Sequence, residues 1–207
     1  MSDLELRVFA SIDRLQSQTA AHIAATGMGD VPVEGMAELF IEVAPGNAIF
    51  RVADIALKAA DVAPSLQIVE REFGLLEIHA ANQESVLAAG EAVLDYLGLS
   101  AEDVTKPTVA STQFITNVHP YQAQLLNKWR KGSLLIPGRS LFVMEVGPAA
   151  WISLAANEAE KHADVQLIEI RAVGRFGRLF MAGGEAEVQT ARAAAVEALS
   201  KVEGRDG

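Results

Sequence analysis

The sequence has no cysteine among its 207 residues, which excludes disulfides and thiolate chemistry and fits a reducing compartment. No stretch approaches the roughly 18 uninterrupted apolar residues of a membrane span, so no membrane partner is expected. Only 17 basic residues stand against 27 acidic ones, a net charge of −10, which argues against nucleic acid as a partner. Because half of the residues are hydrophobic, the chain is predicted to be globular.

Recognisable catalytic and metal-binding motifs are also missing. The four histidines are His22, His79, His119 and His162, and none has a second ligand at a recurring metal-site spacing. The chain contains no G-x-S-x-G, no Walker loop and no complete G-x-G-x-x-G. We therefore predict no metal site, no cofactor and no enzymatic activity.

Hydrophobic periodicity predicts an α/β chain. Alternating apolar residues over 6–12 and 37–43 indicate strands, and a polar, alanine-rich segment over 14–26 indicates a turn and a short helix. Apolar residues at helical spacing over 49–60 and 86–97 indicate two amphipathic helices. Strands over 66–69 and 75–80 lie between them, so the predicted order is strand, strand, helix, strand, strand, helix.

This pattern occurs twice. Glu42-Val43-Ala44-Pro45 matches Glu145-Val146-Gly147-Pro148 at an offset of 103 residues, and the offset holds as far as Phe73-Gly74 and Phe176-Gly177. A leading strand is predicted again at 112–118, with Phe9 matched to Phe114 and Pro32 to Pro137. We expect two copies of one unit, residues 1–104 and 105–207. Their helix faces are rich in alanine and bury little area per residue, which favours an oligomer.

The predicted hairpin after the first helix of each copy differs most between the copies at its tip. The first tip carries Glu70 and Arg71, and the equivalent positions of the second are Val173 and Gly174. Gly74 is interpreted as the turn residue of the first hairpin. One tip is thus charged and the other neutral.

Several of these segments resemble a known family. The strand Leu39 to Val43, the helix containing Val52 to Ala60, and the strand and hairpin that follow are similar to the domain of bacterial microcompartment shell proteins. In the ordinary shell domain the short leading strand comes after the second helix, so its place here resembles the circularly permuted form. Two permuted copies in one chain resemble the tandem shell proteins, most closely the carboxysomal and metabolosome type that stacks as double-layered trimers.

The resemblance implies a fold, an assembly and a set of sites. The fold would be the α+β, ferredoxin-like shell domain, and three chains would close into a pseudo-hexameric tile beside other shell proteins in a cytoplasmic microcompartment. Glu70 and Arg71 fall on the family's charged pore gate, through which metabolites would pass, with Val173 and Gly174 as the neutral second-copy tip. Lys58 and Lys161 fall on the tile edge, where neighbouring discs meet.

Other interpretations stay open on the residues alone. Glu70 and Arg71 would be an ordinary surface ion pair, worth about 0–1 kcal/mol, and Lys58 and Lys161 would be solvated helix lysines. The alternative function is a small-molecule-sensing regulatory protein built of two α/β modules. An enzyme with a site between the copies is a third class.

Overall fold

The computed structural model describes residues 4–207 and places them in eight strands and six α-helices. The elements of the first copy are β1 (Glu5–Ile12), α1 (Ser17–Thr26), β2 (Ala37–Ala44), α2 (Ile49–Ala59), β3 (Ala63–Glu70), β4 (Phe73–Ala80) and α3 (Gln83–Leu97). Those of the second copy are β5 (Thr108–Ile115), α4 (Pro120–Asn127), β6 (Ser140–Gly147), α5 (Trp151–His162), β7 (Gln166–Arg171), β8 (Gly177–Gly183) and α6 (Glu185–Ser200). The predicted order of elements is confirmed, with a short helix after the first strand of each copy.

Each copy folds around its own antiparallel sheet, with strand orders β1-β2-β4-β3 and β5-β6-β8-β7. The central strands β2 and β4 are followed along the chain by α2 and α3, and β6 and β8 are followed by α5 and α6. Helix α2 packs beside α3, and α5 packs beside α6. The apolar stripes of these helices, including Val52, Ala56, Ile152 and Ala156, are fully buried, as their periodicity predicts.

The leading strand keeps the same offset of 103 as the rest of the chain. Phe9 pairs with Ile41 in the first sheet, and Thr112 pairs with Met144 in the second. Thr112 is therefore the counterpart of Phe9, and the match of Phe9 with Phe114 is wrong by two residues. The strand pairing supports this alignment of the copies, because a β-bulge occurs at equivalent positions in the β1–β2 and β5–β6 pairs.

The offset of 103 also holds in the loops before β2 and β6. The amide of Leu15 donates to the carbonyl of Met36, and the amide of Val118 donates to that of Arg139 in the same way. Pro32 therefore corresponds to Leu135, and its match with Pro137 is wrong. The second leading strand likewise lies at Thr108–Ile115 and not at 112–118.

The turn of the first hairpin lies earlier than predicted. Glu70 pairs with Phe73, so the two turn residues are Arg71 and Glu72, and Arg71 adopts the left-handed region with φ of 55°. Gly74 belongs to β4, where it pairs with Val69. The interpretation of Gly74 as the turn residue is therefore wrong.

Gly74 has a different role, which explains why it recurs. A Cβ at this position would collide with the carbonyl oxygen of Gly46 and come within 2.7 Å of the Ile49 Cβ. A Cβ at Gly177 would collide in the same way with the carbonyl of Ala149. In both copies a glycine lets the start of the helix lie directly on the strand that follows the hairpin.

The two copies share one continuous apolar core. They also make a polar contact, which we call the internal seam, in which α1 of the first copy packs against α5 and β7 of the second. The Glu160 carboxylate accepts from the amides of Gln18 at 2.7 Å and Thr19 at 2.9 Å, and from the hydroxyls of Ser17 and Thr19. Since the first amides of a helix have no partner within it, Glu160 acts as the N-terminal cap of α1 from the other copy.

Further hydrogen bonds extend the internal seam. The Gln16 amide donates to the Asn157 side chain at 2.8 Å. The Leu167 amide donates to the Gln18 side chain at 3.0 Å. The Ile170 amide donates to Nε2 of the buried His22 at 2.9 Å.

Candidate functional site

The two hairpin tips of one chain lie together. They border an open cleft of about 580 Å³. Its lining residues are Arg7, Glu70, Arg71, Glu72, Phe73, Gly174 and Arg175. The structure thus brings together three of the four residues predicted at the tips, from segments about 100 positions apart.

Glu70 and Arg71 are loosely paired in the single chain. The distance from Arg71 Nε to Glu70 Oε1 is 3.8 Å, and the Arg71 side chain is almost fully exposed. Exposed pairs of this kind contribute about 0–1 kcal/mol. Both side chains are therefore able to take other positions at little cost in free energy.

The second tip is more open than the first. Its ladder ends at the pair Arg171 and Arg178, so the loop is longer than the two-residue turn of the first hairpin. Gly174 faces the first tip, because a Cβ on it would lie 3.9 Å from Glu70 Cγ. Val173 does not line the cleft; it packs against the core and borders a second cavity between the copies.

Arg7 lines the cleft and is held in place by two neighbours. Its guanidinium lies 3.8 Å from the centre of the Phe73 ring, and its Nε donates to Glu42 at 2.8 Å. Burial raises the pKa of Glu42, although the bond to Arg7 opposes this. With Arg7 paired in this way, the cleft retains two guanidinium groups and two carboxylates, so its remaining charges balance.

The counterpart of Glu42 in the second copy has a different partner. Glu145 accepts from the Ser111 hydroxyl at 2.6 Å and from Arg178 Nε at 2.7 Å. The hydrogen bond from Ser111, followed by that from Arg178, lowers the pKa of Glu145. Both copies thus keep the carboxylate, but its cationic partner comes from β1 in the first copy and from β8 in the second.

Lys58 and Lys161 occupy equivalent places in the last turns of α2 and α5. Lys58 Nζ lies 2.7 Å from Asp54 Oδ1, and Lys161 Nζ lies 3.3 Å from Glu158 Oε1. Hydrogen bonding from Lys58 lowers the pKa of Asp54. Both lysines are exposed within the chain and stand where a helix C-terminus favours a cation.

A buried acid cluster lies under α1 in the first copy. The Glu77 carboxylate accepts from the Ser65 amide at 2.7 Å and lies 2.8 Å from Nδ1 of His79, whose Nε2 reaches Asp30 at 3.4 Å. Glu38 is fully buried, and no N–H or O–H group of the described residues donates to its carboxyl oxygens. Its carboxyl group lies within hydrogen-bonding reach of the Glu77 carboxylate. Burial first, and then repulsion from Glu77, raises the pKa of Glu38 well above its usual value.

Burial lowers the pKa of His79, but hydrogen bonding to Glu77 and Asp30 outweighs this and leaves the pKa raised. At the offset of 103 the second copy has Leu141, Phe180 and Ala182 in place of Glu38, Glu77 and His79. Leu141 and Ala182 are buried in an apolar cluster there. The exchange of three polar residues for apolar ones is visible in the sequence when the two copies are aligned, although it was not among the predicted sites.

Over residues 4–207 there is no group of three or more side chains placed to hold a metal ion. None of the helices described in that range is long and apolar enough to cross a membrane. The cleft residues missed from the sequence are Arg7, Glu72, Phe73 and Arg175. Glu72 and Arg175 are neighbours of predicted tip residues, whereas nothing local in the sequence links Arg7 to the tips.

Comparison with known proteins decides the family. A model of the CsoS1D N-terminal domain matches residues 6–103. The carboxysome shell protein CcmP of Synechococcus elongatus is 46% identical over 203 residues, covering 98% of this chain and 95% of CcmP. The chain belongs to the family of carboxysome shell proteins that includes CcmP and CsoS1D. A second member, CsoS1D of Hydrogenovibrio crunogenus, is 47% identical over 96% of this chain and 98% of its own.

Solved structures agree with this assignment to the shell proteins. The fused permuted hexameric shell protein MSM0275 from the RMM microcompartment has a TM-score of 0.94 and 43% identity, covering 98% of this chain and all of its own. The double ringed trimeric shell protein MSM0271 from the same microcompartment has a TM-score of 0.95 and 40% identity, covering 99% of this chain and all of its own. The predicted tandem permuted fold is confirmed.

This shell protein therefore has a structural role in a bacterial microcompartment shell. Its relatives are structural proteins and not enzymes, which supports the prediction that it has no enzymatic activity. The same relatives support the shell role and not the alternative of a sensing protein.

Proposed function

We propose that three chains close into a ring of six shell domains, residues 1–104 and 105–207 of each chain alternating around one axis. The observation that carries this proposal is the meeting of the two hairpin tips at one cleft. Repetition of that arrangement three times places all six tips around a common axis. The trimeric relative MSM0271, whose chain is covered completely, supports the same stoichiometry.

The residues at the cleft support a gated pore for metabolites. Three Arg71 side chains around one axis repel each other, at about 1 kcal/mol per pair at 4 Å in water, so each needs a carboxylate. Glu70 is adjacent, and the balanced charges of the cleft allow a closed, paired arrangement. Turned outward into solvent, the same side chains leave an opening over the small Gly174. Because the pair is loose and exposed, the two arrangements are expected to differ by a few kcal/mol at most.

Replacing the gate pair is expected to open the pore without affecting the ring. In Glu70→Ala with Arg71→Ala, the free energy of unfolding should change by less than about 1 kcal/mol, because only an exposed ion pair is lost. Electron cryo-microscopy of the variant should show an open axis in every ring. The parent ring under the same conditions is the control, and an axis still occluded in the variant would show that other residues form the gate.

We also propose that Lys58 and Lys161 lie at the tile edge and that two rings stack face to face. Light scattering should give six times the 22.0 kDa of one chain, about 132 kDa, for two stacked rings, whereas about 66 kDa would show single rings. Lys58→Ala with Lys161→Ala should keep the mass of the parent, and electron microscopy should show extended sheets for the parent but not for the variant. A stable monomer of the parent at micromolar concentration would contradict the ring, and loss of the ring in the lysine variant would place these lysines at another interface.

A further inference from the structure

We infer that the contact between neighbouring chains of the ring is the apolar counterpart of the internal seam, formed by α4 of one chain on α2 of the next. This inference rests on the proposed ring. In a ring of six similar domains, each domain meets its neighbours through the same two surfaces. The internal seam therefore shows which elements must meet between chains.

The surface on α4 is apolar where α1 is polar. At the offset of 103, Tyr121 stands in the place of Gln18 and Leu125 in the place of His22. Gln18 and His22 both make hydrogen bonds across the internal seam. Tyr121 is 73% exposed and Leu125 is 62% exposed in the single chain. Two large side chains are thus uncovered at positions whose counterparts are covered.

The surface on α2 changes in the same direction. Leu57 takes the place of Glu160, the cap of α1, and Phe50 takes the place of Ser153. Leu57 is 41% exposed and Phe50 is 56% exposed, whereas Ser153 is buried. All four exchanges replace a polar side chain with an aliphatic or aromatic one, and they occur on both partners of the same contact.

The two apolar surfaces complement each other. Within the chain, His22 and Ser153 border one cavity of about 290 Å³. Their counterparts Leu125 and Phe50 would meet at the equivalent place between chains and fill that space. A second copy of this chain is therefore the occupant that fits, because only it presents the matching surface at the matching position.

One polar contact is expected to persist between chains. Within the chain, Glu42 accepts from the amide of Ala150, at the start of α5, at 3.1 Å. The counterparts are Glu145 and Asn47, and Asn47 is exposed. Glu145 of one chain would thus bind the start of α2 of the next and fix the register of the contact between chains.

Placing a polar side chain on one side of the chain contact should disrupt the ring. Leu125→His copies His22 and would place a polar group against the apolar surface of α2, and Leu57→Lys would place a cation at the start of α4, where the helix dipole disfavours it. Each should raise the concentration of half-dissociation at least about tenfold, measured by analytical ultracentrifugation, with circular dichroism unchanged. Leu87→Ser, which removes another exposed leucine on α3, should leave the ring intact.

Cross-linking tests the placement independently of stability. Leu57 and Gln122 correspond to Glu160 and Thr19, whose Oε2 and Oγ1 atoms are 3.0 Å apart. In this cysteine-free chain, Leu57→Cys with Gln122→Cys and a short bis-maleimide should give covalent trimers on a denaturing gel, and either cysteine alone should not. If the parent is monomeric, the proposed ring is wrong and this inference with it. If the ring forms but neither substitution weakens it and no covalent trimer appears, the seam alone is wrongly placed.

Discussion

Gly74→Ala is expected to lower the free energy of unfolding by about 3 kcal/mol, at the upper end of the usual cost of overpacking. The added Cβ would meet the backbone oxygen of Gly46 and the branched Cβ of Ile49 at 2.7 Å, and neither is the end of a flexible side chain. Relief requires the start of α2 to move off β4, and that movement would displace the hairpin that carries Glu70. Urea denaturation at fixed protein concentration measures the loss.

The second copy offers a matched control for this substitution. Gly183 also lies in the last strand of its sheet, but a Cβ there would meet its nearest neighbour, the Val188 side chain, at 3.4 Å. Its counterpart in the first copy is already Ala80. Gly183→Ala should therefore leave stability within about 1 kcal/mol of the parent. Equal stability of the Gly74→Ala and Gly183→Ala variants would contradict the close approach described at Gly74.

Glu38→Leu is expected to stabilise the protein by about 1–3 kcal/mol at pH 7. The substitution removes a fully buried carboxyl group that lies beside the acidic Glu77, and it copies Leu141, the residue that the second copy has at this position. Glu77 keeps its bonds to Ser65 and His79. The measurement is the difference in free energy of unfolding between variant and parent.

The gain from Glu38→Leu should depend on pH in a defined direction. Burial raises the pKa of Glu38, so above about pH 4.3 the unfolded chain releases a proton that the folded chain keeps. The parent therefore loses up to about 1.4 kcal/mol of stability per pH unit between the unfolded and folded pKa values, and the variant does not. The advantage of the variant should be small near pH 4 and grow toward neutral pH.

Glu38→Gln serves as the control, because it keeps the shape of the side chain and cannot ionise. Its free energy of unfolding should lack the decline with pH that Glu38 causes, but it should gain less than the leucine, since burying a polar amide costs more than burying an aliphatic side chain. A loss of stability in Glu38→Leu at pH 7 would show that Glu38 makes a stabilising contact that outweighs its burial.

Regular periodicity made most of the fold predictable from the sequence. The helices over 49–60 and 86–97 have unbroken apolar stripes, and the structure has α2 and α3 there. β3 begins at Ala63, before the predicted 66, and includes Pro64. β3 is an edge strand, where a proline is tolerated. The predicted range of β5, 112–118, was wrong because the residues of the strand, Thr108–Ile115, do not alternate regularly between buried and exposed positions.

The candidate site was predictable only where it is local in sequence. Glu70 and Arg71 stood out because the second copy lacks both charges, and the structure places them at the cleft. Arg7 lies on β1, and its hydrogen bond to Glu42 holds it at the same cleft. No spacing or periodicity in the sequence predicts that contact. The length of the loop between β7 and β8 determines whether Val173 or its neighbours face the cleft. Hydrophobic periodicity does not predict the length of a loop.

The last residues of the chain return to the linker between the copies. The Lys106 amide donates to the Arg205 carbonyl at 2.9 Å, and the Arg205 amide donates to the Val104 carbonyl at 2.7 Å. The beginning and the end of the second copy are therefore hydrogen-bonded neighbours. A domain whose ends meet in this way tolerates being opened at another point. The packing of the strands therefore does not require one particular order along the chain, and a circularly permuted domain is able to keep the same sheet.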